Sequence, residues 1–324
     1  MTGGPRTLVT GASGFIGQHC VRYLADRGWQ VTALDVHALP EPVAGVQFKV
    51  IDLCDRTQLA AALAGQEVVF NLASVHLDVG ASDEKFEAVN VRAVAQLVEL
   101  CAKAGVRRLV HVSSVGVYGH VAHPPAAEDA PLSPVNTYER TKRAGEEAAR
   151  KAAVQFGVDL VIVRPSWVYG AGCPRTHKLI GALRRGRFFY IGPARNLRHP
   201  IYIDDFLDGL VLAAQAGPEV AGRTYNLAGP DFMHIDEMVR TFAQAVGARE
   251  PKLRIPRWLG LSLGGAAELA GSVLKVDPPI SRRTLAFFEN DNAFDISAAR
   301  TQLHFDPRTD LLTGLRRTLT VMGA

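Results

Sequence analysis

The chain has 324 residues, of which 48% are hydrophobic and 21% charged, which is the composition of an ordinary soluble globular protein. This length accommodates one large domain or two modest ones. The formal net charge is only +4, which argues against a nucleic-acid-binding protein. Basic residues are nevertheless concentrated between residues 175 and 198. This stretch is either a solvated helix face or a site for an anionic ligand, and both alternatives stay open.

The cysteines are scattered without a C-x-x-C pair: Cys20, Cys54, Cys101 and Cys173. This spacing argues against a zinc site and a disulfide framework, and it suits a reducing compartment. The N-terminal residues lead directly into a strand, so we expect no signal peptide. The apolar stretch Leu259 to Leu274 is interrupted by glycines, contains Glu268 and is too short to span a bilayer. We therefore expect a cytoplasmic protein without metal and without stable membrane insertion.

Short β-rich runs alternate with helix-period segments in the first half of the chain. The predicted strands are RTLVT, QVTAL, VQFKV, EVVFN, RRLVHV and DLVIV. The predicted helices cover residues 14–27, 56–64, 84–104 and 136–155. Because strands that alternate with helices form a parallel sheet covered on both faces, with right-handed crossovers, this half predicts a doubly wound α/β fold.

The alternation breaks after Pro165. Prolines and glycines become frequent, and strands such as HPIYI and RTYNL are short and isolated. Helices are predicted around residues 204–216, 234–246, 257–274 and 310–322. We predict a main cofactor-binding domain over residues 1–165, to which residues 204–228 return, and a smaller α/β substrate lobe over residues 166–203 and 229–324.

A glycine-rich segment joins the first strand to the first helix. It comprises Gly11, Ser13, Gly14, Phe15, Ile16 and Gly17. Glycines in this context permit a tight turn and a close approach of backbone to a pyrophosphate at the helix N-terminus. Asp35 ends the second strand 18 residues after Gly17. A carboxylate there accepts hydrogen bonds from the ribose hydroxyls, and no Arg or Lys adjoins it, so NAD is predicted rather than NADP.

The ends of two further strands extend this predicted site. Asp52 and Leu53 follow the third strand and could flank the adenine. The segment after the fourth strand could lie along the central part of the cofactor: Leu72, Ala73 and Ser74. Both positions are at the carboxyl ends of strands, where open α/β sheets bind ligands.

Three side chains predict how the protein would handle the proton of a substrate hydroxyl. Tyr138 and Lys142 are four residues apart on a predicted helix and therefore share a face, and Ser114 ends the strand before it. A nearby ammonium and the nicotinamide ring would lower the pKa of a tyrosine from its ordinary value of about 10. We expect Tyr138 to take the proton of a substrate hydroxyl as hydride leaves its carbon, Ser114 to hold the same oxygen, and Lys142 to bind the nicotinamide ribose as well.

With these motifs the sequence resembles the extended short-chain dehydrogenase/reductase (SDR) superfamily, in its NAD-dependent epimerase/dehydratase group. The resemblance covers nearly the whole chain and rests on TGASGFIG, NLAS, VHVSSVGVYG, YERTK, RPSWVYG, HPIYIDDFLDGL, TYNLAG and FDISAARTQLHFDP. It implies that Pro165 and Val168 help to seat the nicotinamide. It also implies a homodimer formed through the helices at residues 84–104 and 136–155.

Departures from the family pattern reduce the number of reaction types that the protein is expected to catalyse. The related sugar-nucleotide 4,6-dehydratases carry an acidic pair after the catalytic Ser or Thr, where this chain has Val115 and Gly116. The related sugar-acid decarboxylases use a Glu at the position of Gly116. Elimination and decarboxylation are therefore disfavoured, and hydride transfer remains.

Two substrate classes stay open. Arg198, six residues before Asp204, matches the arginine that nucleotide-sugar epimerases and oxidoreductases direct at the sugar diphosphate. A C4-type epimerase or oxidoreductase is thus the first alternative. Trp167 stands where many of those enzymes have an Asn, and residues 256–274 are strongly apolar, which favours the 3β-hydroxysteroid and sterol dehydrogenase branch.

Two further points stay open at this stage. His76 follows the NLAS segment and could border the substrate, although a loop histidine is more often a plain surface residue. A non-catalytic, NAD-sensing protein on the same fold is a third alternative, because fold does not fix function. Such proteins commonly lose the Tyr or the Lys, and this chain keeps both.

Overall fold

The computed structural model of the chain describes residues 4–76, 81–260, 262 and 287–323. The strands are β1 (Arg6–Thr10), β2 (Gln30–Asp35), β3 (Gln47–Val50), β4 (Val68–Asn71), β5 (Arg108–Val112), β6 (Leu160–Pro165), β7 (Trp167–Tyr169), β8 (Tyr190–Ile191), β9 (Leu197–Arg198), β10 (Pro200–Tyr202), β11 (Thr224–Leu227), β12 (Met233–His234) and β13 (Arg254–Ile255). The helices are α1 (Phe15–Asp26), α2 (Arg56–Leu63), α3 (Asp83–Glu87), α4 (Ala93–Ala104), α5 (Thr137–Phe156), α6 (Pro174–Arg184), α7 (Ile203–Gln215), α8 (Ile235–Ala245), α9 (Ser297–Gln302) and α10 (Leu311–Val321).

A seven-stranded parallel sheet organises the fold, in the order β11-β6-β5-β4-β1-β2-β3. The order reverses between β1 and β4, which is the arrangement of a doubly wound sheet and confirms the predicted fold class. The outer strand β11 comes from the second half of the chain and pairs with β6, so that Thr224 lies opposite Ile162.

Both faces of the sheet are buried because successive side chains of a strand point to opposite sides. Leu8, Val69 and Leu109 belong to one hydrophobic core, which also contains residues of α2, α4 and α5. Their neighbours along the same strands, Val9 and Val110 among them, belong to the other core with residues of α1, α7 and α8. The carboxyl ends of the central strands are thereby held rigidly at one edge of the sheet.

The helix predicted over residues 84–104 is interrupted. Between α3 and α4 the backbone forms a π-helical segment, Ala88–Arg92, a local irregularity that often accompanies functional sites. It contains the buried Asn90, whose Oδ1 accepts from the Val75 backbone N–H at 2.9 Å and whose Nδ2 donates to Thr141 Oγ1 at 3.1 Å. The segment therefore ties the loop after β4 to α5.

Helix α5 begins with a capping box. The side chain of Asn136 accepts from the Glu139 backbone N–H, and the Glu139 carboxylate accepts from the backbone N–H of Asn136 in return. This arrangement satisfies the first-turn donors and fixes where the helix starts. Tyr138 consequently lies in the first turn and Lys142 one turn later, on the same face.

Outside the seven-stranded sheet, the segments that we predicted as a smaller lobe contain α6, α8 and two-stranded pairs, β10 with β7, β12 with β9, and β13 with β8. Most of the apolar segment that we predicted as a helix over residues 257–274 lies outside the described residues. Within the part of the chain that is described, none of the helices has both the length and the apolar character needed to cross a bilayer.

Candidate active site

The glycine-rich loop is shaped by positions that leave no room for a side chain. Gly11 has a φ of +69°, and a Cβ atom there would lie 2.6 Å from the backbone nitrogen of Ala73. A Cβ atom on Gly17 would lie 2.0 Å from the carbonyl oxygen of Gly11. The loop thus packs backbone against backbone between β1, α1 and the segment after β4.

Helix α1 presents an open N-terminus at this loop. Gly14 occupies its N-cap, where among the described residues no side chain caps the helix and no acidic residue lies in the first turn. The first amides of this 12-residue helix can therefore bind an anion, and its dipole favours negative charge. Phe15 and Ile16 open the helix beside the loop.

The Asp35 carboxylate is fixed beside the same loop. Its Oδ2 accepts from the Ser13 backbone N–H at 2.9 Å, and its Oδ1 accepts from the His37 backbone N–H at 3.0 Å. Each oxygen keeps a further lone pair for a ligand hydroxyl. The glycine cradle, the open helix end and this carboxylate together fit the pyrophosphate and ribose of a dinucleotide.

The other predicted cofactor residues lie at the same edge of the sheet. Asp52 follows β3 and accepts from the Cys54 backbone N–H at 2.9 Å, and Leu53 is buried beside it. After β4, the Ala73 N–H donates to Thr10 Oγ1 at 3.3 Å, and Ser74 Oγ donates to Asn90 Oδ1 at 3.1 Å. Leu72 is held through its backbone N–H, which donates to the carbonyl of Thr10 at 3.2 Å.

A buried polar ladder, which the sequence reasoning missed, crosses the three central strands. Thr10 Oγ1 donates to Asn71 Oδ1 at 2.7 Å, so that Asn71 Nδ2 is left to donate to His111 Nδ1 at 3.0 Å. Burial and the charges of Lys142 and Arg150 hold the pKa of His111 well below its ordinary value. His111 is therefore neutral at physiological pH. A polar residue at or one position before the end of each of three neighbouring strands is the signal that could have identified the ladder.

The predicted catalytic side chains converge at the carboxyl end of β5. Ser114 Oγ accepts from the Gly116 backbone N–H at 3.0 Å and is hydrogen-bonded to the phenol of Tyr138. The ring of His76 lies against that of Tyr138, with centroids 4.3 Å apart. The structure therefore brings His76, Ser114 and Tyr138 together, and a substrate hydroxyl could be bound by both the serine and the tyrosine.

The expectation that Lys142 lowers the pKa of Tyr138 is wrong for the protein on its own. The pKa of Tyr138 is raised, because burial penalises the phenolate. The hydrogen bond with Ser114 and the positive charge of Arg175 oppose this effect, whereas the charge of Glu139 adds to it. Arg175 is thus a further cation near the phenol, one that the sequence reasoning placed only in a basic cluster.

Lys142 is held by the strand and not by the tyrosine. Its Nζ donates to the carbonyl of Val112 at 2.6 Å, and its side chain is buried. Burial lowers the pKa of Lys142 from 10.5 to about 8, against the opposing negative charge of Glu146. The ammonium lies at the end of β5, next to Ser113 and Ser114, and has further N–H donors for a ligand.

The predicted substrate residues have different surroundings. Trp167 stacks on Phe242 of α8, with centroids 5.9 Å apart and planes 3° apart. Arg198 is only 4% exposed and lies over the ring of Phe287, 4.5 Å from its centroid. Its Nη1 donates to the carbonyls of Leu197 and Asn290 at 2.6 Å and 2.5 Å, while Nε and Nη2 have no partner among the described residues. Burial lowers the pKa of Arg198 to about 10.

Two residues next to the catalytic strands complete the predicted set. Pro165 ends β6 in a buried position, and Val168 is buried in β7, where it pairs with Ile201 of β10.

Gly116 has little space for a side chain. A Cβ atom on Gly116 would lie 3.0 Å from Cγ of Glu139 and 3.3 Å from Ser114 Oγ. An acidic side chain at position 116 would therefore require Glu139 or Ser114 to move.

Comparison with known proteins agrees with this geometry. Residues 7–228 match the model of the NAD dependent epimerase/dehydratase family. The chain is 34% identical to the UDP-glucose 4-epimerase of Mycolicibacterium smegmatis, over 78% of this chain and 86% of that protein. It is 26% identical to the 3beta-hydroxysteroid-dehydrogenase/decarboxylase isoform 2 of Arabidopsis thaliana, over 96% of this chain but 61% of that longer protein. The structure of MoeE5 in complex with UDP-glucose and NAD superposes with a TM-score of 0.78, at 26% identity and 98% coverage of both chains.

Proposed function

Because the chain belongs to the NAD-dependent epimerase/dehydratase family and is an NAD-dependent enzyme of the extended SDR type, we propose that it acts on a secondary alcohol of a nucleotide sugar. The reaction is that of a C4-type epimerase or an oxidoreductase. Bound NAD supplies the acceptor for the hydride that leaves the carbinol carbon. The residues that would hold it are the glycine cradle, the N-terminus of α1 and Asp35.

The proton of the substrate hydroxyl is the part of the reaction that the chain's own side chains carry. Ser114 and Tyr138 are hydrogen-bonded to each other, so a substrate oxygen placed between them is held by both hydroxyls. Tyr138 receives this proton in its phenolate form as the hydride departs. The charge of Arg175 favours the phenolate against the effect of burial, and the charges of Lys142 and of the nicotinamide ring of bound NAD would add to it. The buried ammonium of Lys142 stabilises negative charge at this end of β5, where few waters compete with it.

The observation that carries the nucleotide-sugar proposal is the environment of Arg198. Buried charges in proteins are generally paired, since an unpaired one is costly. The charge of Asp291 acts on Arg198, but Nε and Nη2 of the guanidinium have no hydrogen-bond partner among the described residues. A guanidinium with free donors matches the fork geometry of a phosphate group, which is what a sugar diphosphate offers.

The surroundings of Gly116 support hydride transfer over elimination. Dehydration or decarboxylation needs an acid or base beside the reacting sugar carbons, and the position after Val115 has no space for such a side chain unless Glu139 moves. The Glu139 carboxylate is itself engaged by the Val135 backbone N–H at 2.8 Å, in the cap of α5. We therefore do not propose a 4,6-dehydratase.

Thermal unfolding in the presence of nucleotides tests the proposal. With saturating NAD present throughout, UDP, GDP and dTDP are added separately at millimolar concentration. A ligand at a hundred times its Kd adds about 2.7 kcal/mol to the free energy of unfolding, which raises Tm by several degrees for a chain of this size. We expect one nucleotide to do so, and its sugar conjugates are then assayed for turnover. No rise with any of the three would contradict a nucleoside-diphosphate site.

A lipophilic secondary alcohol is the second candidate, favoured by the stacked pair of Trp167 and Phe242. The Trp167 indole, which Phe242 supports from the core, stands where a polar amide would suit a nucleotide sugar, and large aromatic side chains favour apolar ligands. Spectrophotometric detection of NADH with 3β-hydroxysteroids tests it. NADH formation with a steroid, together with no nucleotide-induced rise in Tm, would replace the first candidate with the second.

A further inference from the structure

Glu146 lies one helical turn after Lys142 on the buried face of α5. It is fully buried, and Arg164 of β6 binds it with both ends of its guanidinium, Nε to Oε1 at 2.9 Å and Nη2 to Oε2 at 2.7 Å. Arg150, one further turn along α5, donates to Oε2 at 3.1 Å. These cations hold the pKa of Glu146 below its ordinary value despite burial, so it is a carboxylate at every pH of interest.

The elements packed around Lys142 carry several titratable groups. Those on α5 are Tyr138, Glu146 and Arg150, while β6 carries Arg164 and β5 carries His111, whose low pKa keeps it uncharged. Among the described residues, Glu146 is the anion whose charge acts on the Lys142 ammonium. Its influence opposes burial, which by itself favours the neutral amine.

Arg164 has further partners that fix it independently of Lys142. Its Nη1 donates to the hydroxyl of Tyr118 at 2.8 Å and to the carbonyl of Glu128 at 3.0 Å. The Glu146 carboxylate is thus anchored from the sheet side, at a fixed position along the helix from Lys142. Four residues on an α-helix place two side chains on the same face, within the range where charges interact.

We infer that Glu146 is a positioning residue that keeps Lys142 protonated at the end of β5, and that Arg164 holds Glu146 in place for this role. The inference rests on the proposed roles of Tyr138 and Lys142. It extends the catalytic trio by a buried anion that touches neither substrate nor cofactor. The reaction then depends on the buried ion pair of Glu146 with Arg164 in addition to the three catalytic side chains.

Direct titration of Lys142 tests the inference without any substrate. The intact protein is labelled with ¹³C-lysine, and the Lys142 signal is assigned by its loss in a Lys142→Met variant. In Glu146→Gln, which keeps the side-chain shape and removes the charge, we expect the titration midpoint of Lys142 to fall by on the order of one pH unit. Glu146→Asp keeps the charge and should keep the midpoint near that of the wild type.

The second readout is the pH profile of NAD-dependent turnover. In Glu146→Gln the alkaline limb should move to lower pH by the same amount as the Lys142 midpoint. A purely structural role for Glu146 would instead lower activity evenly at all pH values. A folded Glu146→Gln protein with the wild-type midpoint and an unshifted alkaline limb would overturn the inference.

Removal of Glu146 leaves Arg164 buried without its carboxylate, which could prevent folding. If Glu146→Gln does not fold, the double variant Glu146→Gln/Arg164→Met carries the test, because it removes the buried ion pair without leaving either charge unpaired. The midpoint of Lys142 should again fall, and an unchanged midpoint overturns the inference. If the midpoint moves as expected but no nucleotide binds, the substrate class is wrong and the role of Glu146 stands.

Discussion

Arg198→Met should leave the stability of the protein alone nearly unchanged while abolishing its response to nucleotides. Burial lowers the pKa of this guanidinium from 12.5 to about 10, which corresponds to a cost of about 3 kcal/mol for keeping the charge in place. The two hydrogen bonds from Nη1 have a charged donor and return about 1.5 kcal/mol each. A methionine fills most of the same space without the charge, so the two effects nearly cancel and we expect the free energy of unfolding to change by less than about 1 kcal/mol.

The effect on ligand binding is large. Charge-assisted hydrogen bonds are worth about 1.5–3 kcal/mol each, so the loss of two such bonds to a diphosphate lowers affinity at least a hundredfold. At a nucleotide concentration that stabilises the wild type by about 2.7 kcal/mol, the variant should gain less than about 0.5 kcal/mol. In thermal unfolding, Arg198→Met should therefore have a Tm close to that of the wild type without nucleotide and a nearly constant Tm with it.

Arg195→Met is the matched control. Arg195 lies three residues earlier, is mostly exposed and faces Asp236 at 3.9 Å, so its removal should change neither Tm nor the nucleotide response appreciably. A strong loss of stability in Arg198→Met would show that the buried charge is better compensated than its contacts indicate. A retained nucleotide response would show that Arg198 does not contact the diphosphate. Either result refutes the reasoning above.

Further predictions concern the cofactor, the chemistry and the assembly. Tyr138→Phe should lower kcat by roughly 10²–10⁴-fold with little change in NAD affinity, and a similar loss in both, by kinetics and calorimetry, would argue against proton transfer. Asp35→Asn should weaken NAD more than NADP, since the charge that repels a 2′-phosphate is gone; an unchanged ratio of the two Kd values contradicts this. Because burial lowers the pKa of Lys142 from 10.5 to about 8, the unfolded chain binds more protons between those values, and this residue adds about 3 kcal/mol of stability as pH rises through them. The Tm of the wild type relative to Lys142→Met should thus increase from pH 8 to pH 10, and equal differences at both would refute it. If the chain forms the expected dimer through the groove between α4 and α5, Ala148→Arg in that groove should halve the mass measured by light scattering; an unchanged mass would place the interface elsewhere.

The fold and the site differ in how far local sequence determines them. The parallel sheet follows from the alternation of apolar runs with helix-period segments, and the cofactor loop follows from glycines at positions that exclude a Cβ atom. Tyr138 and Lys142 are one turn apart on a helix, so their shared face is a local property as well. The signal for each of these features lies in short stretches of sequence, although the sheet and the close approach of Gly11 to Ala73 join distant segments.

The features that the sequence did not predict depend on contacts between distant segments. From the sequence, Asn90 is predicted as an ordinary residue of a helix. In the structure its side-chain amide binds Val75 and Thr141, and the backbone forms a π-helical segment. The raised pKa of Tyr138 reflects burial by several elements, which outweighs the favourable neighbours that spacing alone suggests. Arg198 also depends on distant segments. Its suitability for binding a diphosphate rests on its contact with the ring of Phe287 and on N–H donors that have no partner in the described part of the chain.

The outer strand of the sheet has a consequence for how the chain is synthesised. β11 pairs with β6, but 58 residues, 166–223, lie between the two strands. At translation rates of about 5–20 residues per second, β6 emerges from the ribosome about 3–12 s before its neighbour. During that interval one edge of a hydrophobic strand offers unpaired amides and carbonyls to any other nascent chain. Translation speed through residues 166–223 should therefore influence how much of the protein escapes aggregation in the cell.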